Sequence, residues 1–533
     1  MSSLLIKNGT GYDGTGNAAV KTDLRIENDQ IVEIGSLTKS ADRVIDAEGK
    51  VVCPGFVDIH RHCDIKPFND SQFGQAELMQ GITTVVVGNC GISMTPASPE
   101  HAQELYRFHE PVMGPVGDLN IHSYHDYLHA LENTKLPMNI AAQIGTGSVK
   151  IAVKGFSDTP YTPEETQKAV DLIENAMQEG APGVSVGIMY LPECYSTTEE
   201  FVNILKPVGK HGGLVTAHIR GEGDSMVDSV AEMIEIGKKA GCAVEISHFK
   251  SCGVKNWRND IFKAIQLIDQ ARSEGQDVTC DFYPYEGGST SLTTMLPPCF
   301  VAGNMEHALK KLGTPEGIDE FRRTSSVMYK DWDNFAVTLG WERILISGVT
   351  LEKNKKFLGK TITQAAEEFG FCDAAECAAY LMHSENGNVA IINMSMCQDD
   401  IDAVARLPYS NVISDAIYAD TKTPHPRMFG AFPKIIRDYV LERKILTLEQ
   451  AIHKMTYQPA QRMKLLKRGQ IKVGNYADLN IFSLDQFRDY ATFENPAQFS
   501  GGLDYCIVNG QIAVENAAVT GQKRGMVLRA NKA

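Results

Sequence analysis

The chain has 533 residues, of which 43% are hydrophobic and 22% are charged. A disordered protein has less apolar material, and one α/β barrel needs only about 250 residues, so a barrel with further domains fits this length. The formal net charge of −15 argues against nucleic-acid binding, because affinity for a phosphate backbone comes from lysine and arginine. The sequence also lacks an apolar run long enough to span a membrane. We therefore expect a small-molecule partner, with no nucleic acid and no membrane.

The first residues lack the basic and then apolar pattern of a secretion signal, and we expect a cytoplasmic protein. The twelve cysteines are then more typical of free thiols, metal ligands or small core residues than of disulfides. Nothing in the pattern indicates the oligomeric state.

Both ends of the chain have the pattern of short strands and turns. Residues 1–54 and 470–533 contain stretches in which apolar and polar residues alternate, separated by glycine and asparagine. Examples are DLRIENDQIVEIG near the start and DYCIVNGQIAV and TGQKRGMVLR near the end. We predict one small β-sandwich domain built from both termini.

Residues 55–469 alternate apolar, strand-like runs with amphipathic, helix-like segments. This alternation predicts parallel strands joined by crossover helices. The strand-like runs are PGFVDIH, TTVVVGN, MNIAAQIG, GVSVGI, LVTAHI, AVEISHF, DVTCDFY and NVISD. They predict the α/β class and a (β/α)8 TIM barrel, with a doubly wound sheet as the alternative. Residues 287–348 are too long for a bare loop, and we predict an inserted α/β subdomain near the barrel mouth.

Potential metal ligands follow the predicted barrel strands. His60 and His62 lie two positions apart at the end of PGFVDIH, so both imidazoles can point to one side of an extended chain. Four more residues also end or follow strand-like runs: Cys90, His218, His248 and Asp415. Active sites of such barrels lie at these strand ends. Zn²⁺ accepts cysteine, histidine and carboxylate ligands together, so the six residues predict a zinc site.

Asp415 is the predicted catalytic residue as well as a predicted ligand, because it ends the last barrel strand. A metal-bound hydroxide is nucleophilic near neutral pH, and this carboxylate could take the proton during attack on an amide and return it to the leaving nitrogen. Candidates for holding a substrate carboxylate are the cationic and hydroxyl residues near the same strand ends. They are Tyr190, Lys250, Ser289 and Arg427, with Arg220 as a further candidate.

Taken together, these segments resemble the N-acyl-D-amino-acid deacylases, or D-aminoacylases, of the amidohydrolase superfamily. The resemblance is carried by PGFVDIHRH, QGITTVVVGNCGIS, GVSVGIMYLPECY, TAHIRGEG, VEISHFK, DFYPYEGGST, SDAIYAD…PHPRMFGAFP and QPAQRMKLLKRGQIKVGNYADLNIF, and it covers nearly the whole chain. It implies zinc-dependent hydrolysis of an N-acyl-D-amino acid to a carboxylate and a free D-amino acid.

The resemblance also implies a division of the ligands between two metal positions. Cys90, His218 and His248 would hold one tightly bound zinc, and His60, His62 and Asp415 would line a weaker second position. Departures from the family pattern occur at Cys63, Thr146, Ala416, Glu193 and Cys194. These changes leave the metal ligands in place, but they leave the acyl group and side-chain preference open.

Three alternatives remain open at this point. A hydantoinase-like enzyme for cyclic amides, or a dipeptide hydrolase, would share the superfamily fold, but hydantoinases usually carry a carbamylated lysine on the fourth strand, and GVSVGIM has no lysine. A non-catalytic binding protein would have lost a ligand or the proton-transfer carboxylate. A thiol enzyme with Cys90 as nucleophile would stay active without metal.

Overall fold

The computed structural model describes residues 3–117, 119–330, 332–419 and 421–531. Its strands are β1 (Ser3–Gly11), β2 (Val20–Glu27), β3 (Gln30–Gly35), β4 (Arg43–Asp46), β5 (Val51–Pro54), β6 (Phe56–Asp58), β7 (Ile82–Val87), β8 (Asn139–Ala142), β9 (Ile144–Gly145), β10 (Gly183–Gly187), β11 (Leu214–His218), β12 (Ala243–Ile246), β13 (Val278–Phe282), β14 (Gly288–Ser291), β15 (Ile344–Gly348), β16 (Ala390–Asn393), β17 (Ser410–Val412), β18 (Leu479–Phe482), β19 (Leu503–Val508), β20 (Gln511–Glu515), β21 (Ala518–Val519) and β22 (Val527–Leu528).

The α-helices are α1 (Lys66–Asn69), α2 (Gln75–Met79), α3 (Ala102–Met113), α4 (Tyr124–Glu132), α5 (Thr146–Lys154), α6 (Pro163–Glu179), α7 (Thr198–Lys210), α8 (Met226–Ala240), α9 (Asp260–Ser273), α10 (Pro298–Val301), α11 (Met305–Lys311), α12 (Pro315–Thr324), α13 (Phe335–Thr338), α14 (Ile362–Phe369), α15 (Ala374–Ser384), α16 (Gln398–Arg406), α17 (Arg427–Lys434), α18 (Leu448–Met455) and α19 (Tyr457–Arg462). A π-helical segment, Ile435–Glu442, continues α17. None of the described helices is both long and apolar enough to cross a membrane.

Parallel strands form a closed barrel in the middle of the chain. Two parallel sheets, β6–β7–β8 and β9–β10–β11–β12–β13–β17, are continuous because β8 and β9 are successive parts of one strand. The circle closes where the His62 amide donates to the Ala416 carbonyl at 3.0 Å and the Asp415 amide donates to the His60 carbonyl at 2.9 Å. Counting β8 and β9 as one, the described residues form eight barrel strands. The predicted (β/α)8 barrel is confirmed, and the doubly wound alternative is wrong.

The helices cover the barrel because their local sequence sets both their ends and their buried face. In α6, the Thr162 hydroxyl accepts from the Glu165 amide, and the helix stops at Gly180, whose φ of 99° is in the left-handed region. Ala169, Ile173 and Ala176 are buried at intervals of three or four residues. Strands covered in this way are apolar on both faces, and every residue of β7 is buried.

The two ends of the chain share one sheet, in the order β21–β20–β19–β18–β5–β1–β2–β3, with β4 paired to β1. Val527 and Leu528, which the sequence placed in this small domain, instead pair with Ile140 and Ala141 of the barrel strand β8. The approach depends on Gly525, where an added Cβ would lie 1.9 Å from the Met138 carbonyl oxygen. Residues 527–528 thus pair with β8, and the next part of the same barrel strand, β9, pairs with β10.

The inserted segment has an antiparallel sheet of its own. Its order is β14–β16–β15, so the middle strand is Ala390–Asn393. The segment therefore extends beyond residue 348, at which the sequence analysis placed its end, because its central strand is the last of the three along the chain. β14 begins six residues after β13 ends, which places the insertion at the mouth of the barrel. The residue boundaries of the domains otherwise stay predictions.

Candidate active site

The six predicted ligands meet at one end of the barrel, and all six are buried. The His60 Nε2 atom lies 3.2 Å from the Cys90 Sγ atom, which lies 3.4 Å from the His248 Nε2 atom. His248 Nε2 in turn lies 3.0 Å from His218 Nδ1. One ligand atom from each of His60, His62 and Cys90 lies within 4.8 Å of the others, and the same holds for Cys90, His218 and His248. Cys90 therefore belongs to both groups, which suits a sulfur between two metal positions.

Asp415 joins the two histidines that follow β6 to a buried arginine. Its Oδ1 atom lies 3.4 Å from the Nε2 atoms of both His60 and His62. Its Oδ2 atom lies 2.8 Å from the Arg427 Nη1 atom. Burial opposes ionisation, but the Arg427 guanidinium holds the pKa of this carboxyl well below its usual range. Asp415 is therefore ionised at neutral pH and can accept a proton.

The protonation states of two predicted ligands show what a cation would change. Burial lowers the pKa of His60 to about 3, which leaves the imidazole neutral, as a metal ligand must be. Burial and the Asp415 charge raise the pKa of the Cys90 thiol well above its ordinary value. A bound cation reverses that effect, because a coordinating thiol loses its proton. The donor set of sulfur, imidazole and carboxylate fits zinc.

Three of these residues have an uncommon backbone conformation. Cys90, His248 and Asp415 have φ angles of 56°, 35° and 51°, in a region that side chains other than glycine rarely adopt. Each lies two or three residues after the end of a barrel strand. Left-handed residues cost free energy and tend to cluster where function requires an exact side-chain direction. The positive φ angles turn these side chains into the shared cavity.

Glu222 is part of the site, although the sequence analysis did not single it out. Its Oε1 atom accepts from Lys250 Nζ at 2.5 Å and lies 2.9 Å from His248 Nδ1. Burial opposes the charge, yet Lys250 and the neighbouring histidines hold the pKa of Glu222 well below its ordinary value. A carboxylate on the far nitrogen of a ligating histidine fixes the ring orientation and raises its basicity. Glu222 lies only four residues after His218, and that proximity was the available signal.

Asp281, in β13, is a second residue that the sequence analysis missed. It accepts a hydrogen bond from the His248 amide, and its Oδ2 atom lies 3.9 Å from His60 Nδ1. Burial raises its pKa to about 7. Its position inside the apolar stretch DVTCDFY was the available signal, because a carboxylate there faces the barrel interior.

The predicted substrate-binding residues have different surroundings. Lys250 and Ser289 line the active-site cavity, and the Tyr190 ring lies against His218 with its centroid 4.5 Å away. Arg427 is fully buried and packs over the Tyr283 ring, 4.5 Å from its centroid, in addition to its ion pair with Asp415. Arg220 instead pairs with Glu232 at 2.8 Å. The structure therefore brings Tyr190, Lys250 and Ser289 to the cavity, and places Arg427 behind Asp415.

Two of the departures from the family pattern contact each other beside the Cys90 loop. The Thr146 hydroxyl donates to Glu193, which also accepts from the Gly187 amide at 3.0 Å. A Cβ added at Gly91 would lie 1.9 Å from the Glu193 Oε2 atom, so this carboxylate packs directly against the segment that carries Cys90. Cys63 and Ala416 are buried, and Cys194 is half-buried. None of the five replaces a ligand.

Comparisons with known proteins agree with this geometry. A model of the amidohydrolase family (Amidohydro_3) matches residues 43–250 and 402–514. The chain is 31% identical to a D-aminoacylase of Alcaligenes xylosoxydans xylosoxydans over 98% of this chain and 97% of the relative. This chain belongs to the amidohydrolase family. The amidohydrolase is an enzyme that hydrolyses amide bonds, and its resemblance to the D-aminoacylases is confirmed.

Solved structures resemble this amidohydrolase along its whole length. An N-acyl-D-glutamate deacylase from Bordetella bronchiseptica, complexed with zinc and a phosphonate inhibitor that mimics the tetrahedral intermediate, has a TM-score of 0.84 and 30% identity, with 99% of each chain covered. A D-aminoacylase with a binuclear metal center has a TM-score of 0.83 and 30% identity at the same coverage. The amidohydrolase therefore shares with these enzymes both the barrel and its additional domain.

Proposed function

We propose that this amidohydrolase hydrolyses N-acyl-D-amino acids to a carboxylate and a free D-amino acid with zinc as its metal. The observation that carries the proposal is the position of Asp415, which contacts the predicted ligands through one carboxylate oxygen and Arg427 through the other. Cys90, His218 and His248 would hold one zinc tightly, and His60, His62 and Asp415 would line a weaker second position. The D configuration is inferred from the relatives, which act on D-amino-acid derivatives by name.

In the proposed mechanism, the protein supplies a base and the binding groups around it. Zinc, when bound, provides Lewis acidity and makes water nucleophilic near neutral pH. The Asp415 carboxylate takes a proton from the attacking water and returns it to the amide nitrogen as the C–N bond breaks. Arg427 keeps the carboxylate ionised and correctly directed between turnovers. The buried surroundings of these groups strengthen each charge interaction.

Lys250, with Tyr190 and Ser289 nearby, would bind the carboxylate of the substrate. Lys250 is the only cationic side chain among the described residues that line the active-site cavity. A D-glutamate or D-aspartate derivative brings a second carboxylate, and this cavity offers that group no further cation. We therefore infer that the amino acid released has an uncharged side chain, unlike the D-glutamate derivative named for the Bordetella relative.

The test is release of free amino acid from matched N-acetyl-D- and N-acetyl-L-amino acids by enzyme of measured zinc content. The set includes alanine, leucine, phenylalanine, glutamate and aspartate derivatives. We expect D-selective release that favours uncharged side chains, stops on chelation and returns with zinc. Activity that survives complete metal removal would support a thiol enzyme instead. Failure to cleave any derivative with zinc bound would reject the deacylase function and favour cyclic amides or dipeptides.

The cytoplasmic location and the absence of nucleic-acid and membrane partners stay predictions. Fractionation of the native host with an antibody to the protein would test the location. Gel filtration with light scattering would give the oligomeric state.

A further inference from the structure

A second, mainly apolar cavity adjoins the active-site cavity. The two share lining residues on the side of the ligands Cys90 and His218: Ile92, Val112, Met189, Tyr190 and Thr290. Away from the ligands, the second cavity is lined by apolar side chains and hydroxyls, including Phe108, Leu191, Leu296, Met305 and Trp332. It has no charged side chain among its described lining residues. The active-site cavity therefore continues into a space whose described lining carries no charge.

A third cavity continues from the second towards solvent. They share Phe108, Thr293 and Met305. The third adds the apolar side chains Pro111, Phe156 and Leu309 and ends at charged residues. At that end, Arg107 and Glu306 are exposed and lie 3.9 Å apart. The third cavity has a volume of about 200 Å³, which is far more than a methyl group fills, and the second is a narrow connection of about 30 Å³.

We propose that this pair of cavities binds the N-acyl chain of the substrate, and that the amidohydrolase acts on acyl groups much longer than acetyl. The proposal rests on the proposed function and names its substrate class: medium-chain fatty-acyl amides of uncharged D-amino acids. Water adds across the amide bond, so the products are a medium-chain fatty acid and the D-amino acid.

The acyl chain fits the apolar side because of the order of groups in such a substrate. The scissile carbonyl carbon must lie beside the metal ligands, and the acyl chain is bonded directly to it. The amino acid's carboxylate is attached on the other side, beyond the nitrogen. The apolar cavity begins at Met189, whose Sδ atom lies 3.2 Å from His218 Nε2, whereas Lys250 and Ser289 line the active-site cavity but not the apolar one. With the substrate carboxylate at Lys250, the proposal places the acyl chain in the cavity that begins at Met189, because that cavity has no charged side chain among its described lining residues.

The chain-length dependence of turnover tests the proposal. We would measure kcat/KM of the zinc-loaded enzyme for acetyl, butanoyl, hexanoyl and octanoyl derivatives of D-alanine. A buried methylene contributes up to about fourfold in binding, so the rise from acetyl to hexanoyl should be about tenfold or more. A parallel series of N-acetyl-D-amino acids with lengthening unbranched side chains should show no such rise. A rise confined to that side-chain series, or no rise in either series, would overturn the proposal.

A binding measurement separates this inference from the proposed function. Acetate, butanoate, hexanoate and octanoate require no turnover, and Trp332 in the second cavity provides a fluorescence signal. Affinity should increase with chain length even if none of the D-amino-acid derivatives is cleaved. Cleavage of N-acetyl derivatives with affinity independent of fatty-acid length would reject the acyl cavity and leave the deacylase function intact.

A blocking substitution locates the effect. Met305 lines both outer cavities, so Met305→Trp should remove most of the gain in kcat/KM that hexanoyl and octanoyl chains give relative to acetyl. Leu441→Trp is the matched control, because Leu441 is exposed on the π-helical segment and lines none of the three cavities. Equal chain-length dependence in Met305→Trp and Leu441→Trp would show that the chain does not run through these cavities.

Discussion

Replacing Glu222 with glutamine should weaken both the fold and metal binding. Glu222 is buried, and a single one of its oxygens contacts both Lys250 at 2.5 Å and His248 at 2.9 Å. Neutralising it leaves the Lys250 ammonium buried without its countercharge. Loss of one partner from a buried ion pair costs about 3–5 kcal/mol. Loss of the carboxylate behind a ligating histidine typically weakens metal binding by about 10–100-fold.

Two assays would measure these effects separately. Urea unfolding of metal-free protein reports the stability of the fold, and competition with a chromophoric chelator reports zinc affinity. The double variant Glu222→Gln with Lys250→Met removes both charges, so it should regain much of the lost stability without regaining zinc affinity. Glu235→Gln is the matched control: Glu235 pairs with Lys239 at 2.7 Å in an exposed position, and that ion pair is worth about 1 kcal/mol or less.

The reasoning would be refuted if Glu222→Gln matched the Glu235→Gln control in both urea midpoint and zinc affinity. Recovery of zinc affinity in the double variant would also contradict it, because the charge balance and not the contact with His248 would then control the metal site.

Three further outcomes follow from the site. Asp415→Ala should lower kcat by about 10²–10⁴-fold while zinc stays bound at Cys90, and zinc loss in this variant would contradict the proposed division of roles. Cys90→Ser should lose zinc during dialysis against a mild chelator, whereas the half-buried Cys194→Ser should keep it. Burial raises the pKa of Glu193 to about 7, so the folded state holds the Glu193 proton more tightly than the unfolded state does. The contribution of the protonated Glu193 to stability is therefore present below the pKa of the unfolded state and is lost as pH rises through about 7. Urea midpoints of the wild type should therefore fall more steeply than those of Glu193→Gln between about pH 5 and about pH 8, and parallel curves would exclude this linkage.

The barrel and the convergence of potential ligands could be predicted because they depend on the order of apolar and polar residues within short segments of the chain. Strands covered on both faces are apolar along their length, and a polar residue such as His218 or Asp415 at the end of such a strand stands out. The hypothesis that these residues lie close together required only that the strands be parallel, because the carboxyl ends of parallel barrel strands meet at one end of the barrel. The assignment of those residues as ligands stays a prediction.

What could not be predicted depends on long-range contacts. Glu222 follows the predicted ligand His218 in the chain, but only the folded structure brings it to His248 and Lys250. Substrate binding by Arg427 stays a prediction, but only the folded structure places its guanidinium against Asp415, a contact that no periodicity encodes. The true extent of the insertion depended on β16 pairing between β14 and β15, which are far apart in sequence.

The pairing of Val527 with Ile140 affects how the protein folds during its synthesis. During translation, the edge of β8 emerges hundreds of residues before the segment that covers it. Contacts so distant in sequence form slowly, and an unpaired strand edge invites association with other chains. The edge of β8 therefore stays unpaired during most of translation. We expect chaperones to bind, or aggregation to begin, at this edge.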